Sequence, residues 1–351
     1  MFLFKSKKEV IGIDVGSSSV KLVQLKETKG SYQLLNVGIM PLPPEAIVDN
    51  TLMDSSSISG VIKNLVASLG VNVKDVACSI SGNSVIIRKI VLPAMPSEEL
   101  EDQISWEAEQ YIPFDIKDVN MDFQILSPDT VDPTKMNVLL VASKKDIIND
   151  YVSVFNEAGM QLSVVDVDSF AVQNAFELNH DSGPDDIYAL INIGASVMNI
   201  NIVKDNITLF TRDVQMGGNL YTEEIQKQLG LSEEEAESGK MLARESNNRA
   251  LIDVIMKVNE TITLEISRSL DFYNSTANDD RITAIFLSGG CSKVYNLVST
   301  ISEKISLQVD AINPFAKLKF NEKDFDPEYL QEIGPLMVVP IGLATRRAGD
   351  K

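Results

Sequence analysis

The feature that most constrains this chain is a pattern that occurs twice. Residues 11–25 read IGIDVGSSSVKLVQL and residues 189–203 read ALINIGASVMNINIV. In the first copy Ile11, Ile13 and Val15 alternate with smaller or polar residues, the period of a strand with one buried face. Gly16 ends that run, Ser17, Ser18 and Ser19 make a polar turn, and Val20, Leu22 and Leu25 return as a second strand. Superposed, Ile13 matches Ile191, Val15 matches Ile193, Gly16 matches Gly194 and Ser18 matches Ser196, while Asn192 falls where Asp14 stands. The match continues into a third strand, with KGSYQLL (29–35) over KDNITLF (204–210). A repeat of this length predicts two related domains, each presenting the same tight hairpin.

The turn has a definite chemistry. Without a Cβ at Gly16, a phosphate can approach backbone N–H groups closely. Serine hydroxyls add donors and Lys21 adds positive charge. Asp14 suits magnesium held through water, because that ion keeps most of its hydration shell.

Composition narrows the partners. The 351 residues are 44% hydrophobic and 23% charged, which predicts about two globular domains. A net charge of −19 makes nucleic acid and anionic membrane surfaces poor direct partners. Cys78 and Cys291 stand far apart without metal-ligand spacing, as expected of reduced thiols in a cytosolic protein. No apolar run is long enough to span a bilayer. The opening MFLFKSKK is too short in its apolar part for a signal peptide and is expected to be a frayed terminus.

Between the repeats, a helix is expected near 58–69, with Ile58, Ile62, Leu65 and Leu69 on one face and Gly70 at its end. A strand follows at 76–81. Residues 82–143 read strand, helix, strand, strand, a small α+β unit inserted in a larger fold. Its helix starts at Pro96-Ser97-Glu98-Glu99 with a hydroxyl cap expected, and carries Leu100, Ile104, Ala108 and Tyr111 as its apolar stripe. A helix over 144–159 and a strand running into a helix at 162–170 come next. The sole histidine, His180, is placed in a polar loop and given no catalytic role. After the second hairpin, Gly217-Gly218 opens a helix whose free N–H groups are expected to receive a phosphate. Ser232 and Glu235 form a capping box, and Ile252, Ile255, Ile262, Ile266 and Tyr273 mark a long amphipathic helix. A strand at 284–288 leads into Gly289-Gly290 and a helix near Lys293, and the last helix is expected from Pro340.

These motifs resemble a known superfamily. IGIDVGSSSVK resembles the first phosphate motif of the actin-like ATPases, NIGASVMNI their second phosphate motif, and FLSGGCSKV their adenosine motif. VDVDSFAVQNA and PIGLATRR look like the two connecting helices. GGNLYTEEI with the later Glu237 and Lys240 resembles the nucleotide-side helix pair of the cell-division protein FtsA. Residues 81–126 and VDVDSFAVQNAF look like hallmarks of the type IV pilus assembly protein PilM family.

The resemblance implies an α/β actin-like ATPase fold: two duplicated RNase H-like domains around a nucleotide cleft, with an FtsA-like inserted subdomain called 1C. It implies subdomain 1A at 1–81, 161–187 and 334–351, 1C at 82–160, 2A at 188–216 and 284–333, and 2B at 217–283. ATP or ADP with Mg2+ would occupy the cleft. Carried over residue by residue, Asp14 would hold magnesium through water. Gly16, Ser17, Ser18 and Lys21 would contact one side of the phosphates, and Gly194, Ala195 and Ser196 the other. Gly217, Gly218, Gly289 and Gly290 would cradle the rest of the nucleotide, with Glu237 and Lys240 near sugar or base and Asp168 orienting water.

Asn192 departs from the aspartate usual in active members. An amide cannot accept a proton as a carboxylate does, so slow or absent hydrolysis is expected. The implied partner is the cytoplasmic N-terminal segment of PilN, and through it PilO and PilP, with the pilus motor ATPases and platform protein nearby. This places the chain in the cytoplasm, held at the inner membrane through PilN. The segment is expected in a groove beside the insert lined by Val85, Ile87, Ile90, Ile104, Ala108 and Ile112. A filament-forming protein like FtsA and a sugar kinase of the same fold are the alternatives.

Overall fold

The structure is a computed structural model that describes residues 9–129, 132–183, 185–276 and 281–348, so the MFLFKSKK segment lies outside the described residues. Each copy of the repeat seeds a five-stranded sheet. In the first half, β1 (Ile11–Val15), β2 (Ser19–Thr28) and β3 (Ser31–Pro41) form an antiparallel meander. A minimal hairpin, β4 (Ile47–Val48) and β5 (Thr51–Leu52), precedes α1 (Ser55–Ser68). The α1 N-terminus is capped by Asp54, whose carboxylate accepts from the Ser57 N–H at 3.0 Å. Ile58, Ile62 and Leu65 face the core as their spacing requires. β6 (Asp75–Ile80) then returns parallel to β1.

The insert follows β6. β7 (Ile86–Pro93), α2 (Ser97–Ala108), β8 (Val119–Pro128) and β9 (Lys135–Lys144) make a sheet of order β7-β9-β8 with one helix upon it. The expected hydroxyl cap of α2 does not form: Pro96 occupies the cap position without a side-chain bond, and Ser97 is already helical. Tyr111 lies beyond the helix and is exposed, so the stripe ends at Ala108. Next, α3 (Lys145–Glu157) packs Tyr151, Val154 and Phe155 into the core that holds Ile11, Ile13 and Ile62. The expected insert range of 82–160 therefore includes a helix whose buried face belongs to the first sheet.

β10 (Gln161–Val167) completes that sheet in the order β10-β6-β1-β2-β3, and α4 (Asp168–Asn179) crosses to the second half. There β11 (Ile187–Ile193), β12 (Met198–Lys204) and β13 (Ile207–Val214) repeat the meander. α5 (Gly218–Leu229), α6 (Glu233–Met241) and the 28-residue α7 (Arg249–Thr276) cover one side, with both bonds of the Ser232–Glu235 capping box present. β14 (Ala284–Ser288), α8 (Leu297–Ile305) and β15 (Gln308–Ala311) give the order β13-β12-β11-β14-β15. The helix expected near Lys293 is a short 3-10 turn at Gly290–Lys293, with α8 starting later. α9 (Pro327–Ile333) and α10 (Val338–Ala344) bring the chain back.

The halves meet through α4 and α10. A single apolar cluster joins Ala171, Ala175, Ile341 and Leu343 of these helices to Val23 of the first sheet and Leu190 of the second. A Cβ on Gly342 would run into the Ala171 carbonyl, so the two helices cross at near-backbone contact. Among the described residues, no helix is long and apolar enough to cross a membrane.

Candidate functional site

Both hairpin turns open onto one cleft between the sheets. Its walls include Asp14, Gly16, Ser17 and Lys21 from the first half, Gly194, Ala195 and Ser196 from the second, Asp168 at the start of α4, and Gly289 and Gly290 after β14. Antiparallel pairing sets residue 14 opposite 21 and residue 192 opposite 199, so each hairpin closes with one polar rung. In the first, Lys21 Nζ donates to Asp14 Oδ2 at 2.9 Å. In the second, the Asn192 amide donates to Asn199 Oδ1 at 3.0 Å, and Ser288 Oγ donates to Asn192 Oδ1 at 3.1 Å. Across the cleft the turns touch, with Ser196 Oγ donating to Ser17 Oγ at 2.8 Å.

Asp168 accepts a 2.6 Å hydrogen bond from Ser79 Oγ. Burial, reinforced by the nearby Asp14 carboxylate, pushes its pKa up to about 6. Two acids this close suit a hydrated divalent cation, which would relieve their repulsion. Among the described residues no group of three or more His, Cys, Asp or Glu is arranged to cage a metal. The donors here are oxygens few in number, which fits magnesium carried mostly by water and phosphate.

Several expected site residues lie elsewhere. Ser18, Gly217, Gly218, Glu237 and Lys240 are not among the residues lining the cleft. The first N–H groups of α5, expected to receive a phosphate, are already spent: Gly218 N–H donates to Gly194 O at 2.9 Å and Asn219 N–H to Ala195 O at 2.8 Å. The helix end buttresses the second turn from behind. Lys240 is buried and fastens α6 to α5, donating to Glu237 Oε2 at 2.6 Å, Thr222 Oγ1 at 3.1 Å and Gly218 O at 3.2 Å. His180 ends α4 with its ring stacked on Phe176 rather than in a polar loop.

Conversely, Asn50, Ser79, Ser81, Tyr151 and Asn199 line the cleft without having been singled out. Asn199 was readable from the hairpin register alone. Tyr151 was not, because α3 reaches the cleft only through tertiary packing.

The expected peptide groove needs correction. Ile90, Ile104, Ala108 and Ile112 are 2%, 6%, 0% and 5% exposed and form the insert's own core with Val138 and Leu140. The helical stripe of α2 is covered by its own sheet, so a partner cannot reach it with the insert folded. Only Val85 and Ile87 of that set are half-buried and accessible in part.

Two copies of one sheet order around a shared cleft define an actin-like ATPase fold. Solved structures agree: the ethanolamine utilization protein EutJ from Carboxydothermus hydrogenoformans is 15% identical with a TM-score of 0.61, covering 96% of this chain and 89% of that one. MreB5 of Spiroplasma citri bound to ADP is 12% identical with a TM-score of 0.51, over 93% and 98% of the two chains. A family model described as type IV pilus assembly protein PilM matches residues 12–348, and the chain belongs to that family. A PilM–PilN type IV pilus biogenesis complex contains a chain 28% identical to it, with a TM-score of 0.87 over 97% of this chain and 98% of that one.

Proposed function

We propose that this protein is the ATP-binding component of a type IV pilus assembly machine and holds the cytoplasmic N-terminal segment of PilN. The observation that carries the nucleotide reading is the pair of glycine–serine turns facing each other across a cleft that also holds Asp14 and Asp168. Turns of that kind grip phosphate from both sides, and the acids on the first half suit its magnesium. Similarity to the chain of the PilM–PilN complex supports PilN as partner. Through PilN the protein would sit against the inner membrane and connect to PilO and PilP.

The peptide is placed at the seam beside Val85 and Ile87. β7 is an edge strand of the insert, so its free main-chain groups can take an added strand while Ile87 offers an apolar contact. Asn192 leaves the second hairpin without a carboxylate, and the proposed turnover is correspondingly slow.

A thermal melt with and without Mg-ATP tests the first claim, and a pull-down of the PilN segment tests the second. Mg-ATP is expected to raise the melting temperature by mass action. Ile87→Glu is expected to abolish peptide capture without lowering the melting temperature. No shift at millimolar ATP sinks the nucleotide reading, and full capture by Ile87→Glu moves the groove elsewhere. Fast phosphate release by the unmodified protein alone would overturn slow turnover.

A further inference from the structure

We propose that Asp213 is a positioning residue that couples the cleft to the insert, an inference that rests on the nucleotide reading above. Asp213 lies on β13 directly opposite Asn199 of β12. Its Oδ1 accepts from Asn199 Nδ2 at 2.8 Å, and its Oδ2 accepts from the backbone N–H of Gly82. Asn199 is the far half of the Asn192 rung, so Asp213 stands one bond behind the cleft wall. Gly82 opens the short turn Gly82–Ser84 through which the chain enters the insert. A carboxylate of the second half thus holds the root of a unit that belongs, by sequence, to the first.

That root is held firmly from other sides. Asn50 Nδ2 donates to Ser81 O at 2.9 Å. Ser143 Oγ, at the exit of the insert, donates to Ser84 O at 2.7 Å. Gly82 has a φ of +62°, and a Cβ there would collide with the Asn50 amide. The turn therefore has little freedom to slide and moves as one piece with the start of β7.

The cleft is shut at the turns, where the Ser17 and Ser196 hydroxyls are 2.8 Å apart. A phosphate oxygen bonded from both sides needs these groups about 5 Å apart, two hydrogen-bond lengths taken together. Nucleotide entry that parts the turns themselves shifts the second hairpin relative to the first. Asp213 shares a sheet with that hairpin, and its bond to Gly82 spans the same seam. The bond either breaks or carries the Ser81–Ser84 turn along, and in both cases the insert registers the nucleotide.

Each carboxylate oxygen of Asp213 serves one donor. An asparagine there has one accepting oxygen, so one of the two donors would face an NH2 group. Asp213→Asn thus cuts the link while preserving size.

Hydrogen exchange of the full chain, read over Gly82–Pro93 with and without Mg-ATP, tests the proposal. In the unmodified protein, saturating Mg-ATP is expected to change exchange there by about fivefold or more, within the range of ordinary coupling. Asp213→Asn is expected to lose that response while keeping the ATP-induced rise in melting temperature. A merely structural role would lower the melting temperature and leave the response intact. If that variant does not fold, Asp213→Ala, which removes the acceptor of the Gly82 N–H outright, is expected to give the same loss. An unmodified protein whose melting temperature rises with ATP while 82–93 stays unchanged overturns the coupling, as does a full response in Asp213→Asn. Absence of any ATP-induced shift instead overturns the nucleotide reading from which the inference starts.

Discussion

The two hairpins share register and sheet position but differ in charge and in support. The first closes on an ion pair, Asp14 with Lys21, and the nearest neighbour of Gly16 in its turn is the flexible tip of that lysine. The second closes on two amides, Asn192 with Asn199, and its turn is pinned by the N-terminus of α5 and by Cys291, whose Sγ donates to Gly194 O at 3.4 Å. Duplication preserved the scaffold while the chemistry separated. One side presents charge to the cleft, and the other a braced, uncharged rung.

The largest expected effect comes from loosening that brace. A Cβ on Gly217 would overlap the Gly194 carbonyl and stand 2.7 Å from Ala195 O. Neither is the flexible end of a side chain, so relief requires moving the turn or helix α5. Gly217→Ala should cost about 3 kcal/mol or more, the scale of backbone strain and overpacking taken together. Chemical denaturation checks this, and a loss below 1 kcal/mol (~a fivefold change in the folding constant) would show the support to be soft.

Next in size is the ion pair. Lys21→Met removes the cation from a poorly exposed pair and leaves Asp14 beside the buried Asp168. Breaking a fully buried pair from one side costs about 3–5 kcal/mol. This pair keeps some solvent contact, so about 2 kcal/mol is expected, together with loss of the ATP-induced melting shift. The corresponding change on the second side, Asn192→Ala, strands no charge, because Asn199 keeps its bond to Asp213, and should cost less. Equal costs would erase the contrast between the rungs.

Asp168 responds to pH in a direction its burial dictates, with the Asp14 charge adding to it. Its folded pKa of about 6 lies above the ordinary 3.8, so the folded state holds the proton more tightly than the unfolded chain. Stability from this group is fully present below the ordinary value and is lost as pH rises through about 6. Asp168→Asn removes the charged form and should stabilise the ligand-free protein at pH 7 by about 1–2 kcal/mol, less than the bare shift implies because the Ser79 bond weakens. Melting curves of the two proteins should converge near pH 4, roughly the ordinary carboxylate value. Curves that stay parallel from pH 4 to 8 would refute the assignment (the scale of ordinary carboxylate titration is about pH 4).

The sequence carried this architecture unevenly, and the two hairpins show why. Strand alternation, a glycine at the turn and the repeat itself are local patterns, so both meanders and the polar rungs follow from reading along the chain. The strands and helix of the insert were equally readable. What covers a helix face is not local: the stripe Leu100, Ile104, Ala108 is the same whether it meets its own sheet or a partner. The donors of α5 illustrate the same limit. A glycine-led helix start signals free N–H groups, and only the fold shows them consumed by Gly194 and Ala195 carbonyls. Asp213 carried no motif, because its importance comes from which strand lies opposite and which turn passes beside it.

The smallest expected change in stability lies at the first turn. A Cβ on Gly16 would sit 3.2 Å from Lys21 Nζ, 3.4 Å from Ser19 O and 3.8 Å from Asp14 Oδ1. The tightest of these neighbours is the tip of a flexible side chain that can yield. Gly16 also lies outside the left-handed region, so alanine brings no backbone strain there. Gly16→Ala should therefore change folding stability by no more than about 0.5 kcal/mol, since alanine also restricts the unfolded chain. Its methyl would nonetheless occupy the approach to the first turn and crowd the ammonium of Lys21, so the ATP-induced melting shift should fall sharply. Gly194→Ala is the matched change on the other side, where the Cβ would meet the Val197 carbonyl at 3.1 Å. Backbone held by the turn's own bond, Gly194 N–H to Val197 O at 2.9 Å, yields less readily than a lysine tip, so this variant should lose more stability than Gly16→Ala. Denaturation and ATP melts on both variants separate the two quantities. If Gly16→Ala keeps the full ATP response, the phosphate does not approach the first turn, and the charged hairpin has a structural role only.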